Sequence, residues 1–212
     1  SATGAADHNY VNPARVRVIL ASSSPRRIGF LSQLGLTFTA IAPDVDETIP
    51  AGTDPVTAVS DLAVAKARAV AGFHADALVI AADTIVVRDG EILGKPVDAE
   101  HAHQMLTALQ GRVHQVFTGL AFIGPSDLHV LDVTRTDVRM RALYDKAIRA
   151  YIATGEPMDK AGAYGIQAFG AALIAEIDGC FSSVAGLPIC RLTDLLGSVG
   201  IWTAPVVQCG VP

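Results

Sequence analysis

Cysteine is scarce in this chain of 212 residues: there are three, Cys180, Cys190 and Cys209, without a C-x-x-C spacing and with an odd one left over. That count argues against a disulfide framework and a structural zinc site; reduced thiols in an intracellular protein are the simplest account. Cys209 stands near the end, but Gly210 and the terminal Pro212 do not make a prenylation signal. No apolar run approaches the ~18–20 residues of a membrane span. Residues 1–15 are polar and irregular, without the apolar stretch of a signal peptide. The first residue is Ser1 rather than methionine, which suggests a processed or engineered start, and the expected compartment is the cytoplasm.

Positive charge is also in short supply. Sixteen Lys and Arg against twenty-one Asp and Glu leave a net charge of −5, so a general nucleic-acid or membrane-surface binder is not expected. The first strand is not followed by G-x-G-x-x-G, and no P-loop occurs, which sets aside a dinucleotide-binding dehydrogenase or a P-loop kinase. The histidines form no metal set: His101 and His103 point to different faces of a helix, and His74, His114 and His129 lack ligand spacing.

Half the residues are hydrophobic, so the chain can bury a substantial core. Its length suits one large domain or two small lobes sharing a core. The pattern divides it into a disordered N-terminal extension over 1–15, a single domain over 16–200 and a tail over 201–212. Strands are expected at 16–21, 37–41, 77–87, 113–123, 129–140 and 171–177, with a hairpin through Asp89-Gly90 to Ile92-Leu93. Helices are expected at 25–34, 54–73, 97–109 and 144–153, closed by one at 184–196. Interleaved helices and strands with an antiparallel pair predict an α/β fold built on a mixed central sheet flanked by helices.

The densest signal lies at Ala21-Ser22-Ser23-Ser24-Pro25-Arg26-Arg27, where an apolar strand meets a helix start. Proline fits the first helical position and serine the cap. Two arginines in that first turn oppose the helix dipole by about 0.3–1 kcal/mol each, unless an anion such as phosphate binds among the free amides, hydroxyls and guanidinium groups. Solvated surface arginines are the alternative.

Lys66 falls on the apolar stripe Val59, Leu62, Ala69, Phe73, so it either snorkels or reaches a polar cleft. Asp83 closes the apolar run Ala77–Ala82, a place for a general base, a Mg²⁺ ligand or a simple strand cap. Thr84 follows with a hydroxyl. Asp44, Asp46 and Glu47 crowd one loop, Lys95 sits in a Gly-Lys-Pro corner, and a glycine-rich segment over 154–170 presents Lys160 and Gln167. A glutamine amide can both donate to and accept from a nucleobase edge.

These segments, in order, resemble the motifs of the Maf family of nucleotide pyrophosphatases, first described as septum-formation proteins. The motifs are Ser22-Ser23-Ser24-Pro25-Arg26-Arg27, Asp44-Val45-Asp46-Glu47, Ala82-Asp83-Thr84, Gly94-Lys95-Pro96, and Thr154-Gly155-Glu156-Pro157 through Gly165-Ile166-Gln167. The resemblance covers about Val16 to Leu196. It implies a Maf/ITPase-like fold of two lobes with a cleft between them, and hydrolysis of dTTP, UTP and modified nucleotides to monophosphate and pyrophosphate as a house-cleaning activity. It implies Asp83 and Glu47 as catalytic acids and holders of a divalent metal cation (Mg²⁺ or Mn²⁺). Ser22, Arg26, Arg27, Lys66, Thr84, Lys95 and Gln167 would bind substrate, glutamine marking the uracil/thymine-preferring branch. The implied partner is a nucleoside triphosphate, with no nucleic-acid polymer, no membrane and room for a homodimer. The alternative is a non-catalytic nucleotide- or partner-binding regulator of cell division.

Overall fold

The computed structural model describes residues 16–201 and 203; the expected N-terminal extension and nearly all of the expected tail, Cys209 included, lie outside them. One mixed sheet organises the chain. Its strands are β1 (Arg17–Ala21), β2 (Phe38–Ile41), β3 (Ala77–Arg88), β4 (Glu91–Leu93), β5 (Val113–Gly124), β6 (Leu128–Met140) and β7 (Ile174–Asp178). They lie in the order β2-β1-β3-β5-β6-β7, with β4 paired to the far half of β3. β1 runs parallel to both β2 and β3, and every other pairing is antiparallel. The mixed sheet expected from the sequence is thus observed.

Among the described residues six α-helices accompany it: α1 (Pro25–Gln33), α2 (Pro55–Ala71), α3 (Ala99–Leu109), α4 (Asp145–Ala153), α5 (Phe181–Val184) and α6 (Ile189–Ser198). Side-chain alternation assigns them to faces. Val18, Leu20, Leu78, Ile80, Leu120 and Phe122 pack with Leu31 of α1 and Leu192 and Leu196 of α6. Ile19, Ala21, Val79, Ala81 and Ala121 point the other way, onto Ala63, Ala67 and Val70 of α2. A further cluster joins Leu106 and Leu109 of α3 and Ile148 of α4 to Val86, Val116, Val138 and Tyr164. Each such large aliphatic contributes about 1.5–3 kcal/mol on burial.

Two local features place the later chemistry. Gly119 lies opposite Asp83 in the β3–β5 ladder, and a Cβ there would stand 2.6 Å from the Val59 carbonyl oxygen. The missing side chain lets α2 lie directly on the sheet. The turn Asp89-Gly90 takes positive φ at both residues (50° and 81°), as a tight hairpin needs.

The structure corrects three expectations. The closing helix is two helices, because Gly186 takes φ 113° and Pro188 follows it, breaking the run between α5 and α6. The last strand begins at Ile174 rather than 171, since 168–173 wind into a 3₁₀ turn. The apolar stripe of α2 ends at Val70; Phe73 lies past the helix and is exposed.

Candidate active site

β1 stops at Ala21 while β3 continues to Arg88, and their last paired residues are Leu20 and Ile80. The β3 edge that carries Asp83 and Thr84 is therefore free of its parallel neighbour. Crevices at the carboxyl ends of parallel strands are where open α/β sheets take ligands. A cleft of about 820 Å³ opens here, and Ser22, Arg26, Arg27, Glu47, Lys66, Asp83, Thr84, Lys95 and Gln167 all line it.

Asp83 and Thr84 are consecutive on a strand and so face opposite sides. Asp83 faces α2, where Lys66 Nζ donates to its Oδ1 at 2.5 Å and to Glu47 Oε1 at 2.7 Å. The lysine and aspartate side chains are 8% and 10% exposed, whereas that of Glu47 is 53% exposed. A buried ammonium is tolerated when charges and hydrogen bonds compensate it. Lys66 therefore does not snorkel; it bridges the two acids. The hydrogen bond from Lys66 holds the Glu47 carboxyl below its usual range against the cost of desolvation, with Lys95 and Arg27 adding to the effect. Asp46, by contrast, caps its own loop through the Thr48 amide at 2.9 Å.

Thr84 faces α1. Arg27 Nη2 donates to Thr84 Oγ1 at 3.1 Å, and Arg27 Nε donates to the Gly186 carbonyl at 2.7 Å. Thr118 Oγ1 donates to the Ser183 carbonyl at 2.9 Å and lies 2.9 Å from Thr84 Oγ1. A carbonyl cannot donate, so the Thr118 hydrogen is committed to Ser183 and Thr84 must be the donor between the two threonines. The result is a one-way chain, Arg27 to Thr84 to Thr118 to Ser183. Burial pushes the Arg27 guanidinium pKa down, opposed by the charge of Asp83, reinforced by Arg26 and opposed again by Glu47.

The start of α1 keeps its anion-site character. Ser24 Oγ accepts from the Arg27 amide at 3.5 Å, Ser22 Oγ accepts from the Ser24 amide at 3.1 Å, and the first turn contains no acid. Arg26 and the exposed Lys95 form no hydrogen bond or ion pair with the described residues. Lys160 is engaged within its own loop, to Glu156 O at 2.7 Å and Asp159 Oδ1 at 2.8 Å. Among the described residues no group of three or more His, Cys, Asp and Glu side chains could hold a metal ion. Asp83 and Glu47 are the oxygen donors that converge.

Sequence reasoning passed over Thr118, Tyr151 and Glu156 as participants. Thr118 left a trace, a hydroxyl inside the apolar run of β5. Tyr151 gave no local signal, and Glu156 only its place in the Thr154-Gly155-Glu156-Pro157 motif, because their partners lie across a loop.

An α/β protein whose strand edge joins an acid pair to a cationic helix start has the equipment for a polyphosphate ligand. The chain belongs to the Maf family: the family model described as Maf-like protein matches residues 17–199. It is 50% identical over 184 residues to the dTTP/UTP pyrophosphatase of Pelotomaculum thermopropionicum, covering 86% of this chain and 96% of that one. It is 47% identical over 186 residues to the dTTP/UTP pyrophosphatase of Moorella thermoacetica, covering 87% and 96%. Among solved structures, the Staphylococcus aureus Ham1 protein is similar at a TM-score of 0.47 and 19% identity, covering 74% of this chain and 79% of that one. Among the described residues, no helix is long and apolar enough to cross a membrane.

Proposed function

We propose that this cleft hydrolyses nucleoside triphosphates, dTTP and UTP foremost, between the α and β phosphorus atoms, and that removal of modified nucleotides is part of its house-cleaning role. The observation that carries this reading is the buried Lys66 bridging Asp83 and Glu47 in a cleft that also holds the unpartnered Arg26 and Lys95. The names of the relatives, dTTP/UTP pyrophosphatases aligned along nearly their whole length, support the substrate.

In this reading water attacks the α-phosphorus and a new P–O bond forms. The bond to the bridging oxygen breaks, pyrophosphate leaves, and the water proton passes to Asp83. Asp83 Oδ1 is held by Lys66, so its second oxygen takes the proton. Arg26, Arg27 and Lys95 receive the phosphates and stabilise the charge that moves onto the leaving group. Ser22 and Ser24 shape the approach to the helix start. The two carboxylates suit a hard divalent cation, since Mg²⁺ is usually held by one or two carboxylates together with substrate phosphates. With the second oxygen of Asp83 given to the proton, Glu47, whose Oε1 alone meets Lys66, would hold Mg²⁺ or Mn²⁺ together with the substrate phosphates, and the ion when bound would neutralise phosphate charge.

Gln167 would pair with the uracil or thymine edge. A screen of pyrophosphate release over ordinary and modified nucleoside triphosphates, with Mg²⁺ and with Mn²⁺, should rank dTTP and UTP first. Gln167→Glu places an acceptor-only group against the base carbonyls, which costs on the order of 1–3 kcal/mol, so pyrimidine preference should fall tenfold or more. Orthophosphate as the product, or a ranking unchanged in the variant, would sink the reading.

A further inference from the structure

The segment Gly165–Gly170 is pinched at its base. Gly165 N donates to Tyr151 Oη at 3.1 Å at one end of it. At the other end Phe169 N donates to Glu156 Oε2 at 3.1 Å and Gly170 N to Glu156 Oε1 at 2.9 Å. Tyr151 and Glu156 are themselves joined, the phenol donating to Oε1 at 3.0 Å. The two ends of the segment touch: a Cβ on Gly170 would fall 1.8 Å from the Gly165 carbonyl oxygen. Between them Ile166, Gln167 and Ala168 form a small loop, with Ile166 buried and Gln167 exposed and lining the cleft. Ala168 takes φ 51°, a conformation that a non-glycine residue adopts only when its surroundings impose it.

We infer that Tyr151 and Glu156 are positioning residues for base selection: a phenol–carboxylate clasp that fixes the direction of Gln167. The inference rests on the proposed reading of Gln167 as the group that meets the base. Two N–H donors and one O–H donor converge on the two oxygens of one carboxylate, and the phenol oxygen accepts from a fourth donor, the Gly165 N–H. Each contact is to main chain or within the clasp, so it orders the loop without offering the ligand a new group. Charge-assisted bonds of this kind are the stronger ones, and a selecting amide must be held close to its productive geometry.

Glu156→Gln tests this. It keeps the volume but turns one acceptor into an NH₂ facing another donor. Discrimination, read as the ratio of kcat/KM for UTP over ITP, should fall about tenfold, while competitive inhibition by inorganic tripolyphosphate, which has no base, stays at its wild-type value. In a Gln167→Ala background the same substitution should leave the ratio unchanged, because coupled residues are not additive. An unaltered ratio in Glu156→Gln, an equal effect in both backgrounds, or a parallel loss of tripolyphosphate inhibition would each overturn the inference. If Glu156→Gln does not fold, Tyr151→Phe, which removes one oxygen, decides the matter by the same ratios. A wild-type enzyme with no preference between UTP and ITP would instead refute the reading of Gln167 itself, which keeps the two failures apart.

Discussion

Gly119 and Asp83 face each other across the β3–β5 ladder, and the absent side chain of the glycine brings the lysine to the aspartate. A methyl group at 119 would meet the Val59 carbonyl at 2.6 Å and the Ala63 Cβ at 3.3 Å, both on α2. α2 would have to lift from the sheet, and Lys66 would lift with it. Gly119→Ala should lower stability by about 1–3 kcal/mol, as overpacking does. It should also depress kcat beyond what the loss of folded protein explains. Denaturant melts together with active-site titration measure the two effects, and an unchanged kcat per folded molecule would show that the spacing of α2 is uncritical.

Asp83→Asn removes the carboxylate proposed to accept the proton but leaves Lys66 its second carboxylate at Glu47. The fold should survive, with an unaltered near-ultraviolet circular dichroism spectrum, while kcat falls about 10²–10⁴-fold, the usual worth of a positioned general base. Treating the wild type with a chelator and dialysing should also abolish turnover, restored by Mg²⁺ or Mn²⁺. Full turnover in the variant would remove Asp83 from the chemistry.

The two arginines should separate in their behaviour. Arg26→Ala loses a group without a protein partner, so apo stability should hold or rise slightly as a cation leaves a helix start. Its kcat/KM should drop about 10- to 100-fold, since a charged contact contributes about 1.5–3 kcal/mol. Thr118→Val acts at a distance: it strands the Thr84 hydroxyl, costs about 1–3 kcal/mol of stability and raises KM by loosening Arg27. Thr118→Ser should restore both. A Thr118→Val enzyme of normal KM would show that Arg27 does not depend on the relay.

His114 sets an acid limit on stability. It is 1% exposed, its Nε2 lies 2.6 Å from Tyr164 Oη, and burial pushes its pKa from 6.5 down to about 4, with Asp137 opposing. Between those values the unfolded chain binds a proton that the folded chain refuses. This contribution is complete above pH 6.5 and lost as pH falls toward 4, by about 3 kcal/mol in all. Denaturation midpoints measured across that range should fall for the wild type and flatten for His114→Gln. Equal slopes in the two proteins would remove His114 from the acid transition.

Much of this was legible in the sequence wherever the signal was local. Pro25 after three serines, the Asp89-Gly90 turn and the alternation of β5 each fixed an element within a few residues. Lys66 stood out because a charge on an apolar stripe demands an explanation, and the structure supplies one in two carboxylates from distant segments. The bond from Arg27 to Gly186, the threonine relay and the Tyr151–Glu156 clasp were not legible. Each depends on strand register or loop closure that joins residues with no sequence periodicity in common. The break between α5 and α6 was in principle visible, since Gly186 and Pro188 stand inside the apolar run that suggested a single helix.

The Arg27–Gly186 bond joins groups 159 residues apart, and the Lys66–Asp83 pair depends on β3 having β5 beside it. A cleft of such long-range contacts has little chance of persisting in a partly folded chain, because the entropy of closing those loops is recovered only when the sheet and its helices assemble together. Catalytic turnover is therefore a sensitive reporter of complete folding: a proteolytic cut between α4 and α5 should silence the enzyme even where much of its secondary structure remains.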